Sequence, residues 1–296
     1  MIDLTIQQRR RDLGGFAVGR VLPYAKRRMV GPFIFFDHMG PVRFERGVSR
    51  SADVRPHPHI GLSTITYLFE GEIMHRDSVG SAQPIRPGEV NWMTAGRGIT
   101  HSERFERARR EGGSMNGIQA WVALPNEHEE TDPAFAHYGS ENLPTLEERG
   151  LRLRLIAGQA YGLEASVTTH SPLFYAHCEL DADARAPMPT GYAERAVYVV
   201  AGAVDVGGQT VREGFMAVMR RDVAVELAAA EPSTVMMLGG EPVGDRFIEW
   251  NFVSSSQERI EQAKADWRAG RMKLPDGDDD EFIPLPGNAA PANPMS

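Results

Sequence analysis

Two of the nine histidines in this chain stand in the unit Arg55-Pro56-His57-Pro58-His59. Residues two apart on an extended strand project to the same side. Pro56 and Pro58 favour extended backbone at the residues before and between them. Both imidazoles can therefore enter one interior, where neutral ring nitrogens are good ligands for borderline metals. A second pair follows at His101-Ser102-Glu103, again at a spacing of two, so that imidazole and carboxylate share a face. Three imidazoles and one carboxylate make a mostly uncharged ligand set. In an octahedral preference it leaves two positions for water, dioxygen or substrate. Ligand type alone leaves iron, zinc, nickel, manganese and copper open.

Short apolar runs punctuated by turns must position these pairs. The 30 glycines and 20 prolines are spread along the chain and break up runs rich in Val, Ile, Phe, Tyr and Trp. LSTITYLFEGEIMHRD, EVNWMTAG and VYVVAGAVDV all read as short strands joined at glycines. Gly88, Gly96 and Gly98 supply turns that bring the 101–103 pair back towards the first. The interval from His59 to His101 has room for several antiparallel strands. The expected fold is all-β, two fused antiparallel β-barrels, with a helix near the C-terminus. That helix begins in SSSQERIEQAKADWRAG: Ser254 to Ser256 supply a cap, Ile260, Ala263 and Trp267 recur at helical spacing, and Gly270 ends it. The last ten residues are expected to be disordered.

A faint internal repeat supports duplication. Tyr67 to Gly71 followed by Gly88 to Met93 resembles Tyr198 to Gly202 followed by Gly214 to Met219. Units of this size imply a duplicated domain rather than a solenoid. Polar residues from 130 to 150 mark the boundary, giving residues 1–140 as a metal-binding domain and 141–296 as a second domain with the helix and tail. The 296 residues, 42% of them hydrophobic, suffice for two ordinary cores.

The formal charge of -8 does not favour nucleic-acid phosphate, and the short basic runs Arg9 to Arg11 and Lys26 to Arg28 read as solvated surface. The single cysteine, Cys178, excludes an intramolecular disulfide and fits a reducing compartment. The N-terminus has no apolar signal-like region, and no apolar stretch approaches the ~20 residues that span a bilayer. A cytoplasmic monomer without a membrane or direct nucleic-acid partner is expected.

The segments GPFIFFDHMGP (Gly31 to Pro41), RPHPHIGLSTITYLFEGEIMHRDSVG (Arg55 to Gly80) and RPGEVNWMTAGRGITHSE (Arg86 to Glu103) resemble the signature of the pirins, which are bicupin proteins. KLPDGDDDEFIPLP is similar to their C-terminal end. The resemblance covers most of the chain and is dense from residue 31 to 103. It implies one Fe(2+) per chain in the N-terminal cupin, held by His57, His59, His101 and Glu103. It also implies a C-terminal cupin without metal. Counting along the internal repeat agrees, placing Met188, Thr190, Leu227 and Ala229 where the first copy has its ligands.

Some pirins cleave the flavonol quercetin with dioxygen. The resemblance therefore implies an oxygenase of the quercetin 2,3-dioxygenase type, acting on a small aromatic or enolic substrate, with Glu103 as both ligand and base. Phe33, Phe35, Phe36, Met39 and Met93 are candidate apolar walls, with barrel core as their plainer use. Glu70, His75 and Asp77 are candidates to hold the outer nitrogens of the ligands. Mammalian pirins resemble redox-responsive co-regulators that act through protein partners, which is the alternative function.

Overall fold

The computed structural model describes residues 1–287 and the backbone of 294 and 295. Most of the last ten residues, expected to be disordered, lie outside the described residues. The fold is all-β with a C-terminal helix, but the two expected barrels are not formed: among the described residues no sheet closes on itself. Two compact units are present. One comprises Met1–Arg10, Gly19–Phe35 and Gly139–Pro242, the other Arg11–Val18, Phe36–Tyr138 and Val243–Ser296.

The unit containing the histidine pairs is built on two open sheets. The smaller has the order Val54–His59, Ile99–Arg104, Ile73–Asp77, Ala82–Ile85. The larger has, within this unit, the order Ala134–Tyr138, Val90–Thr94, Leu62–Glu70, Gly113–Ala123 and then residues 36–44 of the next strand. Apolar side chains of both, among them Phe44, Leu68 and Met115 from the larger and Ile73 and Ile85 from the smaller, form one buried cluster with Phe16 and Phe105. The reason for the open edges is chemical. Both outer strands of the smaller sheet carry proline, Pro56 and Pro58 on one side and Pro84 on the other. A proline has no N–H to give to a further ladder and is at home on an edge.

The other unit repeats the plan. Its larger sheet has the order Ile2–Gln7, Phe215–Met219, Glu194–Ala201, Ser233–Gly240, Leu173–Leu180, Leu151–Ala160, Thr145–Glu148, with Leu163–Glu164 paired beside Leu151–Ala160. Its smaller sheet has the order Arg185–Pro187, Glu226–Ala229, Ala203–Val206, Gln209–Arg212. The internal repeat is exact in register. Tyr67 pairs with Val90 and Tyr198 with Met216. Gly88 N–H donates to Leu68 O, and Gly214 N–H to Val199 O, each at 2.9 Å. Both glycines have φ of +78°, a conformation that a side chain disfavours.

The helix Gln257–Arg268 starts where its sequence predicts, with the Ser256 hydroxyl accepting from Arg259 N–H at 3.2 Å. Its Ile260, Ala263 and Trp267 are buried with Ile60 and Phe252, next to the first ligand strand. Gly61 follows there with φ of +67°, and a Cβ on it would lie 2.0 Å from Val253 O. Only glycine lets the 252–254 strand come this close to the end of the 54–59 strand. No helix among the described residues is long and apolar enough to cross a membrane.

Candidate metal centre

His57, His59 and His101 converge. One ring nitrogen from each lies within 4.8 Å of the others, and all three side chains are buried. Among the described residues this is the one such group of metal-ligating side chains. The sheet register produces it. His101 stands directly opposite His57, their ring centres 4.3 Å apart, and the ring of His59 is 5.0 Å from that of His57.

Glu103 is not drawn into the 4.8 Å group. Between His101 and Glu103 the register shifts, so that Glu103 stands opposite Val54 rather than Arg55. The extra residue on the proline-bearing strand is a bulge, which breaks the simple two-residue periodicity. On its other side Glu103 is in regular register, opposite His75. Burial pushes its carboxyl up to about 7, with a hydrogen bond from Thr66 opposing. The Thr66 hydroxyl also lies 2.8 Å from Gln119 Oε1, and its single proton serves one of these two oxygens at a time.

The residues fit a divalent cation. His57 Nδ1 donates to Arg55 O at 2.9 Å and His59 Nδ1 to Asn251 O at 3.1 Å. A carbonyl only accepts, so each bond fixes the proton on Nδ1 and leaves the Nε2 lone pair for a metal. His101 Nδ1 is 3.3 Å from His75 Nδ1, while His101 Nε2 is buried without any hydrogen-bond partner. An orphaned imidazole nitrogen beside two aligned lone pairs is what an ion would satisfy. Burial holds all three rings neutral at ordinary pH. It is the main cause that lowers His57 to about 4 and takes His59 and His101 well below the usual histidine range.

Of the three residues expected to hold the outer nitrogens of the ligands, His75 meets His101, and Asp77 meets His75 rather than a ligand. His75 Nε2 donates to Asp77 Oδ2 at 2.9 Å, and its ring stacks on Phe135 at 4.4 Å. Glu70 lies exposed at the end of its strand. The five apolar candidates are all buried, but in several settings. Phe33 packs on Tyr175, the Arg20 guanidinium lies over Phe35, and Met39 joins the Phe16–Phe105 cluster. Trp121, which the sequence did not single out, has its ring 5.0 Å from that of His59.

The outward face of the 99–104 strand is held by the C-terminal segment. Arg104 binds Asp278 through two nitrogens at 2.6 and 2.8 Å, and Ser102 donates to the same carboxylate at 2.6 Å. Thr100 donates to Lys273 O, and Ile283 N–H donates to Pro56 O at 2.8 Å. Both ligand strands are thus tied from behind by residues 273–283.

A duplicated all-β plan with three buried, neutral imidazoles converging in one copy defines a bicupin with a histidine metal site. Residues 15–122 match the Pirin family and residues 175–273 the Pirin C-terminal cupin domain. The chain belongs to the pirin family. It is 64% identical to a pirin-like protein of Caulobacter vibrioides, over 97% of this chain and 100% of that one. It is 31% identical to human pirin, over 90% and 92% of the two chains. The crystal structure of quercetin 2,3-dioxygenase from Acinetobacter baumannii superposes with a TM-score of 0.90 at 31% identity, covering 99% of this chain and 98% of that one.

Proposed function

We propose that the chain is a mononuclear non-haem iron oxygenase acting on quercetin-like flavonols or related aromatic enols, with one Fe(2+) held by His57, His59, His101 and Glu103. The observation that carries this reading is the convergence of three buried imidazoles, with the buried carboxyl of Glu103 two residues on from His101 in the same strand. The similarity to the Acinetobacter baumannii quercetin 2,3-dioxygenase supports the substrate class.

Iron, when bound, supplies Lewis acidity towards a substrate hydroxyl and the redox chemistry that dioxygen requires. The imidazoles present Nε2 lone pairs in tautomers already fixed by Arg55 O and Asn251 O, so no ring has to reorganise. Glu103 has two duties: its carboxylate completes the ligand set and accepts the proton of the flavonol hydroxyl at an oxygen. Thr66 is within hydrogen-bond reach of this carboxyl. Trp121 offers an apolar surface beside His59.

The test separates the two duties. Glu103→Gln keeps a coordinating oxygen and loses the basicity. In anaerobically loaded protein it retains part of its iron, while oxygen consumption with quercetin falls by ~10²–10⁴, as for loss of a general base. Full turnover in this variant removes Glu103 as the base. If fully ferrous wild-type protein consumes no oxygen with any flavonol, catechol or enediol, the oxygenase reading falls and a redox-responsive regulatory role takes its place.

A further inference from the structure

The three converging imidazoles are not supported alike. His57 and His59 each rest on a backbone carbonyl, Arg55 O and Asn251 O. His101 rests on a side-chain relay. Its Nδ1 meets His75 Nδ1 at 3.3 Å, and His75 Nε2 meets Asp77 Oδ2 at 2.9 Å. The other oxygen of Asp77 accepts from Val79 N–H at 3.0 Å and Ser81 N–H at 2.9 Å. His75 and Asp77 are both nearly fully buried, and Phe135 stacks on the His75 ring at an interplanar angle of 17°. The register makes this arrangement rigid: Asp77 stands opposite His101, and His75 opposite Glu103.

Proton placement along the relay follows from its acceptor end. An ionised carboxylate only accepts, so the proton between Asp77 and His75 sits on His75 Nε2. A metal at the unpartnered His101 Nε2 requires the His101 proton on Nδ1, and His75 Nδ1, 3.3 Å away, is the acceptor placed for it. The tautomer of His101 is thereby fixed with its lone pair on Nε2, the nitrogen that has no hydrogen-bond partner. A carbonyl would fix the same tautomer. The relay does more, because it connects the ligand to a full negative charge without exposing that charge to the metal.

We propose that His75 and Asp77 are positioning residues that set the tautomer of His101 and strengthen it as a donor, making it the most firmly held of the three imidazole ligands. The proposal rests on the reading of His57, His59 and His101 as metal ligands. Oriented carboxylate–imidazole support of this kind raises ligand basicity, and its loss typically weakens metal binding 10–100-fold.

Two substitutions test it without emptying the site. His75→Phe keeps the stack on Phe135 and removes both nitrogens, leaving His101 Nδ1–H without an acceptor. Asp77→Asn keeps an oxygen for Val79 and Ser81 N–H but presents an amide donor to His75 Nε2. The proton of His75 must then move to Nδ1, where it confronts His101 Nδ1–H. Cobalt(II) affinity is measured by competition with a chromophoric chelator. The ring-nitrogen signals of His75 and His101 are recorded by NMR in the metal-free protein. Cobalt binding is expected to weaken 10–100-fold in each variant. The His101 Nδ1–H tautomer seen in wild type should give way to a mixture in His75→Phe, and Asp77→Asn should invert the His75 tautomer. Wild-type affinity and an unchanged His101 tautomer in His75→Phe would overturn the relay. The control is His101→Ala: if it binds cobalt as well as wild type does, the metal-centre reading itself fails, an outcome distinct from failure of the relay alone.

Discussion

Opposite His101 in the first cupin stands His57, and opposite Leu227 in the second stands Ala186. The two smaller sheets share a plan, yet one lines its interior with imidazoles and the other with methyl groups. Counting along the repeat gives Met188 and Thr190 as the counterparts of His57 and His59. The ladder gives Ala186 and Met188 if Leu227 stands for His101, because the strand pairing and not the loop length decides the register. Ala186, Met188, Leu227 and Ala229 are all buried in one apolar cluster that includes Cys178, Val197 and Met237. The thiol of Cys178, the softest ligand in the chain, is pushed far above its usual range by burial in that cluster and stays a protonated core residue. The comparison teaches that the shared sheet plan tolerates either interior, and that a metal site needs more than its ligands. In the first cupin each ligand nitrogen that faces away from the centre has an acceptor, and the apolar second cupin has no need of any.

The ligand strands of the first cupin are backed by charged contacts, and the sharpest way to break the comparison is from outside the site. Arg104 is almost fully buried and its charge is met by Asp278, Asp53 and Glu281. Removing one partner of such a network leaves uncompensated buried charge. Arg104→Ala is expected to cost about 3–5 kcal/mol in urea unfolding, by that same reasoning. A loss below 1 kcal/mol would show that the C-terminal segment does not brace the ligand strands.

The converse substitution plants polarity in the apolar copy. Leu227→His places a ring where His101 stands in the first cupin, but with no acceptor relay behind it. An unpaired buried ring and disturbed packing should destabilise by about 2–4 kcal/mol, without raising the metal content. A second equivalent of metal in this variant would show that ligands alone suffice.

A smaller effect is expected from pH. In the metal-free protein, unfolded imidazoles take up protons as pH falls below about 6.5, whereas His57 resists until about 4 and His59 and His101 are also held well below the usual range. The stability they provide is complete above the unfolded value and is lost as pH falls towards 4. His177 in the second cupin, lowered by burial to about 4, adds one ring to the three. Glu103 works the other way: its contribution is complete below 4.5 and is lost as pH rises through about 7. Thermal midpoints of metal-free protein should therefore fall from pH 6.5 to 4.5, because the rings outnumber the one opposing carboxyl, and Glu103→Gln should steepen that fall. A flat wild-type profile over pH 4.5–6.5 would contradict the burial of neutral rings.

Much of this was legible because chemistry and period coincide in the sequence. His57-Pro58-His59 and His101-Ser102-Glu103 announce an inward face, and Ser256, Ile260, Ala263 and Trp267 announce a capped amphipathic helix. The repeat of Tyr67 and Gly88 at Tyr198 and Gly214 gave the duplication. Closure into barrels was misread because it depends on whether edge strands meet, and the prolines that keep them apart were used only as evidence for extension. The standing of Glu103 outside the histidine group arises from a bulge on the neighbouring strand, which its own spacing cannot reveal. The Asn251 carbonyl that orients His59 has no side-chain signature. Asp278 is far from Arg104 in the chain, and in sequence it is one acid among Asp276 to Glu281.

The central claim is that one cupin holds a metal and its copy does not. Elemental analysis of protein purified without oxygen or chelator tests it directly, with His101→Ala measured alongside. One tightly bound divalent metal per wild-type chain, and none in His101→Ala, is the expected result. Two metals per chain, or one that survives His101→Ala, would contradict it.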